Sequence, residues 1–530
     1  MNFRSSPGMS RRRLLRMIGE ATSSAVMYQA MTSLGHAADS GYKGPVELPG
    51  DPKGASVLIL GAGLAGMVAA LELRKAGYTV KLLEYQTRAG GRNWSLRGGD
   101  SYTELGGARQ DCAFDEGLYI NPGPWRIPYH HRALLDYCKR LKVALEPFIQ
   151  LNFNTYLHAS DAFGGKPQRF RHVLADYHGH VSELLAKAVN ADKLDEDVRA
   201  EDKEILLASL RSWGALDRDY AYREGYASSE VRGYEKAPGG GVDGAPSPST
   251  PLAFNDVLNS RLWRHLSLPL QHDFQHTMFQ PVGGMDMIGK AFFREVGDLV
   301  ELGAKVTSIR QNDKRVTVTY ESAAGGVRQA SADWCFCTIP LSILSQIELD
   351  VGAPMRAAID AVPYAASVKI GLQFKRRFWE EDEAIYGGIS FTDLPIAQIS
   401  YPSTDYHKPG KGVLLGAYSF GLPATEFTAM TPQERIALAV ENGLCLHPQY
   451  RQEFENGISV AWHRVPWTLG CFGLWSPATR KAHYQDLCTI DGRILLAGEH
   501  VSYVNAWQEG AILSSLDAIT RLHKRVVAGN

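Results

Sequence analysis

The feature that most limits what this chain can fold into is an apolar run followed by a glycine-spaced turn. Ser56-Val57-Leu58-Ile59-Leu60 leads into Gly61-Ala62-Gly63-Leu64-Ala65-Gly66. The run reads as a strand, Met67 to Lys75 as a helix that Gly77 ends, and Tyr78 to Glu84 as the next strand. The spacing therefore predicts a β-α-β unit with short connections. In that geometry Gly61 permits the turn and Gly63 lets backbone approach a pyrophosphate. Gly66 allows close helix–strand packing, the helix N-terminus stabilises phosphate charge, and Glu84 accepts hydrogen bonds from a ribose diol. An acidic residue at that place disfavours a 2'-phosphate, so an unmodified adenosine diphosphate moiety fits best. These residues leave nicotinamide and flavin dinucleotides undecided. The run Arg88-Ala89-Gly90-Gly91-Arg92 follows, in which Gly90 and Gly91 can wrap a diphosphate and Arg92 supplies charge; the other reading is a solvated basic turn.

The rest of the 530 residues narrows the class. Hydrophobic side chains make up 45%, enough for a sizeable core, and length suggests two to four domains. Fifty-six basic against fifty-seven acidic side chains argue against a nucleic-acid binder, which needs a concentrated positive surface. The seven cysteines have neither zinc-site nor C-x-x-C spacing, so no metal centre is predicted. Cys335 and Cys337 fall in an apolar run and point to one face of a strand. At the N-terminus, Ser10-Arg11-Arg12-Arg13-Leu14-Leu15-Arg16 looks like a twin-arginine export signal ending near Ala37-Ala38. That predicts a periplasmic or secreted protein handled by the twin-arginine machinery. The competing reading is a basic amphipathic helix retained on a cytoplasmic protein; the stretch is too weakly apolar to span a membrane.

Along the chain, residues 39–52 read as a Gly/Pro/Asp-rich linker. A helical pattern covers about 130–230, with helices at His131–Leu141 and Val181–Ala188, and 234–251 is a Gly/Pro/Ser-rich loop. Strands return at Ala304–Arg310, Arg315–Tyr320 and Ala332–Thr338. A mostly β segment spans about 366–420, Pro432–Asn442 is helical, and Arg493–Gly498 is a late strand before a helix from about Gly510 to Arg521. Nucleotide-binding material at both ends predicts a domain assembled from separated segments.

From about residue 54 to 523 the sequence resembles the flavin-containing amine oxidases, nearest the snake-venom and bacterial L-amino-acid oxidases. Gly61 to Gly66, Glu84 and Gly90-Gly91-Arg92 resemble that family's FAD fingerprint. Gln280-Pro281-Val282-Gly283-Gly284-Met285 is similar to its P-x-G-G-M turn. Val306 resembles a strand residue whose backbone contacts the adenine, and Gly498-Glu499-His500 the segment whose glutamate meets the cofactor. The resemblance implies an α/β plus α+β chain with the two-domain FAD-dependent amine oxidase fold. This combines a Rossmann-like FAD domain in separated segments, a mixed-sheet substrate domain and a helical subdomain. The implied division is signal 1–38, linker 39–53, FAD-binding parts 54–129, 275–345 and 456–530, helical region 130–274, and substrate-binding domain 346–455. A homodimer is also implied.

Four further matches concern the reaction. Gly123-Pro124-Trp125-Arg126-Ile127-Pro128 resembles the segment whose arginine pairs with the substrate carboxylate, here Arg126. Tyr418, after Ala417, resembles a tyrosine donating to the same carboxylate. Lys369 resembles the lysine that holds a water near flavin N5, and Ala506-Trp507 a small residue plus tryptophan flanking the substrate amine. The implied reaction is oxidative deamination of L-amino acids: hydride passes from Cα to FAD N5, O2 reoxidises the flavin, and a 2-oxo acid, ammonia and hydrogen peroxide leave. Bidentate arginine binding fixes a carboxylate in distance and angle, and burial against Trp507 favours the neutral amine. Ala506 stands where relatives commonly carry glycine. No cysteine lies at 499–510, where monoamine oxidases are expected to tether their flavin, so FAD is expected to be non-covalent. His130, His131 and Trp213 are further candidates near the substrate. The alternatives are an amine or polyamine oxidase, an amino-acid monooxygenase yielding an amide, and a non-catalytic flavoprotein interaction module.

Overall fold

The computed structural model describes residues 40–191 and 199–529, without the side chains of Ala200 and Glu201. The arginine-rich N-terminal segment lies outside the described residues. Strand Ser56–Leu60 pairs in parallel with Thr79–Glu84 on one side and Trp334–Cys337 on the other. Val300–Leu302 and Ile494–Leu496 extend the sheet at its two edges, again in parallel. A parallel sheet is covered on both faces, and the sequence shows it. Val57 and Ile59 join one apolar cluster while Leu58 and Leu60 join another. Trp334 and Phe336 likewise face the first cluster, and Cys335 and Cys337 the second, as the spacing predicts. Helix Leu64–Lys75 covers the first face, packed on the last helix, Gln508–Val527. The nucleotide fold thus draws its five strands from three distant stretches of chain.

The second large sheet has seven strands, with Gln168–Arg169 at one edge and Phe454–Ala461 at the other. It is mixed: Ile389–Thr392 runs parallel to Tyr156–His158, whereas Gly412–Phe420 and Ser367–Phe374 are antiparallel. Ser367–Phe374 is buried along its whole length. Val368, Ile370, Leu372 and Phe374 fill one core, so Lys369 projects from the opposite face, toward residues 121–125. Helices Phe170–Asn190, Ala200–Trp213 and Tyr226–Arg232 form the helical part. The first is much longer than the pattern at Val181–Ala188 predicts. Its early half buries Asp176, which Arg232 and Tyr222 satisfy from later segments, so its polarity hides a buried face. The two-domain amine-oxidase-like architecture with a helical subdomain matches the expectation.

The Gly/Pro/Asp-rich run at 40–52 has no regular structure, yet it is docked on the body. Ser40 is buried and its hydroxyl donates to Glu509, Tyr42 donates to Asp136 at 2.6 Å, and Pro49 accepts from His523. Glu509 also accepts from the amides of Ala133 and Leu134, capping helix Arg132–Arg140, which has no side-chain cap of its own. Among the described residues no helix is long and apolar enough to cross a membrane.

Candidate active site

A cavity of about 600 Å³ runs from the C-terminal edge of the parallel sheet to the seven-stranded sheet. At one end its wall is backbone. Gly61 has φ +100°, and helix Leu64–Lys75 starts directly after Gly63, whose open side meets nothing within 4 Å. Gly66 lies off the wall; a Cβ there would sit 1.9 Å from the Gly61 carbonyl oxygen. Glu84 is buried, and its carboxylate accepts from the amides of Ala62 (2.6 Å) and Gln86 (2.8 Å). Burial raises its pKa, so donors arriving from a diol would stabilise the anion. Gly91 packs against Gly63, and Leu64, Ala65, Val306 and Gly498 complete this wall. Val306 pairs with Tyr320, and the antiparallel register shifts between it and Ser308, so Thr307 bulges out of the ladder at the cavity rim.

Arg92 and Glu499 form an ion pair at 2.9 Å in mid-cavity, and Arg92 also donates to the Cys471 carbonyl at 2.7 Å. Glu499 accepts from the amides of Gly473 and Ala506, both at 3.1 Å. Burial raises the Glu499 pKa, but Arg92, His500 and these hydrogen bonds together hold it below its ordinary value. The open Gly63 cradle, the helix N-terminus, the acceptor at Glu84 and the length of the cavity fit a flavin dinucleotide.

The other end is made of side chains. Arg126 is 2% exposed and donates to Gln150 at 2.8 Å. Its guanidinium carbon lies 4.9 Å from the Trp125 and Phe274 rings and 6.0 Å from that of Trp507. Burial pushes its pKa down to about 9, opposed by Tyr418 and Asp273. A cation under that pressure gains from a carboxylate. Pro124, Trp125, Tyr418, Ala506 and Trp507 share the wall with Arg126. Ala506 has φ +68°, a left-handed conformation that favours glycine.

Lys369 does not line the cavity. It is the direct cross-strand partner of Tyr418, and its Nζ donates to the carbonyls of Gly123 (2.5 Å) and Asn121 (3.3 Å). The ammonium lies 4.3 Å from the Tyr418 ring and 4.8 Å from that of Trp125, and burial drops its pKa well below the usual lysine value. His130 and His131 are buried behind Trp507, whose ring meets His131 edge-on at 4.9 Å; neither lines the cavity. Trp213 is 55% exposed, stacked on His178, and is not a wall residue.

Sequence reasoning missed Gln150, Trp462, Trp467 and Cys471. Trp462 donates to the Pro122 carbonyl at 2.9 Å and so holds the 122–126 segment in place. Cys471 lines the cavity, so a thiol does border the cofactor site although none lies at 499–510. Its neighbours Gly470 and Gly473 are the local signal that the chain runs close to other groups there.

Comparison with known proteins places this arrangement. The family described as flavin containing amine oxidoreductase matches residues 64–522, and the chain belongs to that family. It is an FAD-dependent oxidoreductase that uses a small-molecule substrate and O2. An L-amino-acid oxidase of Siganus canaliculatus is 28% identical, covering 89% of this chain and 86% of its own. The cyclohexylamine oxidase of Brevibacterium oxydans has a similar fold, with a TM-score of 0.59 at 16% identity over 90% of this chain and 100% of that one. A putrescine oxidase structure shares the fold at 0.58 and 17% identity, covering 89% and 99%.

Proposed function

We propose that this protein oxidatively deaminates L-amino acids to 2-oxo acids, releasing ammonia and hydrogen peroxide. The observation that carries the reading is Arg126, a buried cation in an aromatic cage on the cavity wall. A substrate carboxylate would give this buried cation a charged partner that a simple amine does not. Bound FAD supplies the two-electron acceptor and passes those electrons to O2.

The chain's own residues do the rest. Arg126 grips the carboxylate through charge-assisted bonds, and the Tyr418 hydroxyl adds a donor that stops rotation about the carboxylate axis. Trp507 strips water from the amine and favours its neutral form, which must be reached before Cα is oxidised. Ala506 limits the room beside the amine. Lys369 holds the Gly123 and Asn121 carbonyls from behind the wall, setting the position of the Trp125-Arg126 segment. The FAD is held non-covalently by Gly61, Gly63, Leu64, Ala65, Glu84, Gly91, Arg92, Val306, Gly498 and Glu499, with Gly66 allowing the close packing.

A second reading, oxidation of a simple amine, draws on the structures named for cyclohexylamine and putrescine. The deciding assay measures peroxide and keto acid from the flavin-loaded protein with each proteinogenic L-amino acid, and with D-isomers, putrescine and phenylethylamine alongside. Stoichiometric peroxide and keto acid from a subset of L-isomers is the expected result. Turnover of amines alone would overturn the reading, and an amide product would mean a monooxygenase.

A further inference from the structure

The buried arginines differ in the kind of side chain that meets them. Arg232 donates to Asp176 at 3.0 Å, Arg377 to Glu380 at 2.8 Å and Arg435 to Glu104 at 3.0 Å. Arg92, half-buried on the cavity wall, pairs with Glu499 at 2.9 Å. Arg126 is as deeply buried as the first three, and the side chain that accepts from its Nη1 at 2.8 Å is an amide, that of Gln150. Gln150 is itself buried and follows strand Leu145–Phe148. Its mount is firm. The Ile149 amide donates to Ser403 and the Ile149 carbonyl accepts from Gly388, both at 2.9 Å. The Asn152 side chain donates to the carbonyls of Tyr386 and Gly387 at 3.1 Å. The loop is thereby stitched on both sides of Gln150 to residues 386–403, which carry strands Ile389–Thr392 and Gln398–Ser400.

We propose that Gln150 is the residue that makes Arg126 a carboxylate site, by orienting the guanidinium and satisfying one of its N–H groups without cancelling its charge. This rests on the amino-acid reading above and names a residue that sets its specificity. A buried guanidinium needs acceptors, and an apolar side chain at position 150 would withdraw one. A glutamate would match the shape but would itself become the counter-ion, as happens at Arg92, Arg232, Arg377 and Arg435. An incoming carboxylate would then meet a neutral pair. The amide avoids both outcomes. Titration points the same way. At Arg92 burial is outweighed by Glu499 and the pKa is raised, whereas at Arg126 burial prevails and takes it down to about 9. Tyr418 and Asp273 oppose that fall without reversing it, and the Asp273 carboxylate is engaged by His130 at 3.3 Å. Gln150 acts through Arg126, so it is a positioning residue.

The test titrates oxidised, flavin-loaded protein with benzoate by calorimetry, with KM and kcat for L-amino acids measured beside it. Gln150→Glu should weaken benzoate about 100-fold and raise KM by a similar factor, with flavin retained. Gln150→Leu should weaken benzoate about tenfold, again in KM more than in kcat. That order separates charge from shape, because glutamate is the closer copy of glutamine and would be the milder change if residue 150 only filled space. Benzoate bound by the glutamate variant as tightly as by the leucine variant would overturn the proposal. So would a leucine variant that binds like the unaltered protein, and this second comparison decides alone if the glutamate variant does not fold. The amino-acid reading fails separately, to turnover of amines alone by the unaltered protein, and would take this inference with it.

Discussion

The two ends of the main cavity are built in opposite ways. The nucleotide end is mostly backbone, its core from one contiguous stretch: Gly61, Gly63 and a helix N-terminus packed close by Gly66, with Glu84 one strand later. The substrate end is all side chain, assembled from Arg126, Gln150, Phe274, Tyr418 and Trp507. Diphosphate recognition needs only amides and a dipole, which a local motif supplies. Recognition of a carboxylate beside an apolar side chain needs a buried cation, and burying one takes partners from several segments. On the proposed reading, the first end carries the general property of the family and the second the choice of substrate.

That contrast can be broken by experiment. Gly66→Val should have the largest effect, since its first side-chain atom overlaps the Gly61 carbonyl. The protein should purify without flavin, and normal flavin absorbance would contradict the tight packing. Arg126→Ala should cut kcat/KM for L-amino acids by about 10³ (roughly 4 kcal/mol) with flavin retained. Equal loss of flavin would show that the two ends are not separable. Lys369→Met should lower kcat/KM about tenfold, the cost of losing the Asn121 and Gly123 contacts that set the Trp125-Arg126 segment. It should also raise the melting temperature at neutral pH. The unfolded chain holds the Lys369 proton more tightly than the folded one, so stability rises with pH between the folded value and 10.5. Methionine should flatten that slope, and a steeper one would reverse the assignment. Ala506→Gly should stabilise by about 1 kcal/mol through relief of the left-handed strain and admit bulkier amines. Acid precipitation should leave the flavin in the supernatant; flavin pelleting with the protein would mean that Cys471 forms a tether.

The same contrast explains what could be read from the sequence. Strand, turn and helix at 56–75 follow from local pattern, and the helix starts at Leu64 rather than Met67 because Gly63 serves as its N-cap. Arg126, Tyr418 and Trp507 were reached by resemblance alone, since nothing local marks them. Their neighbours Gln150 and Cys471 went unseen because a hydrogen bond or a shared wall between distant segments leaves no periodic trace. Lys369 is a cation on an apolar strand, but its pairing with Tyr418 is a fact of register. His130 and His131 gave no sign of burial, because Glu509, which caps the helix behind them, comes from the far end of the chain.

The parallel sheet takes its final strand from Ile494–Leu496, and the cavity wall closes with Glu499 and Trp507. A ribosome releasing this chain from its N-terminus therefore exposes the dinucleotide turn long before there is anywhere for the isoalloxazine to rest. Cofactor capture belongs to the finished polypeptide. Copies cut short of Ile494 would keep the glycine fingerprint but lack the last strand, Glu499 and Trp507, and are expected to purify without flavin.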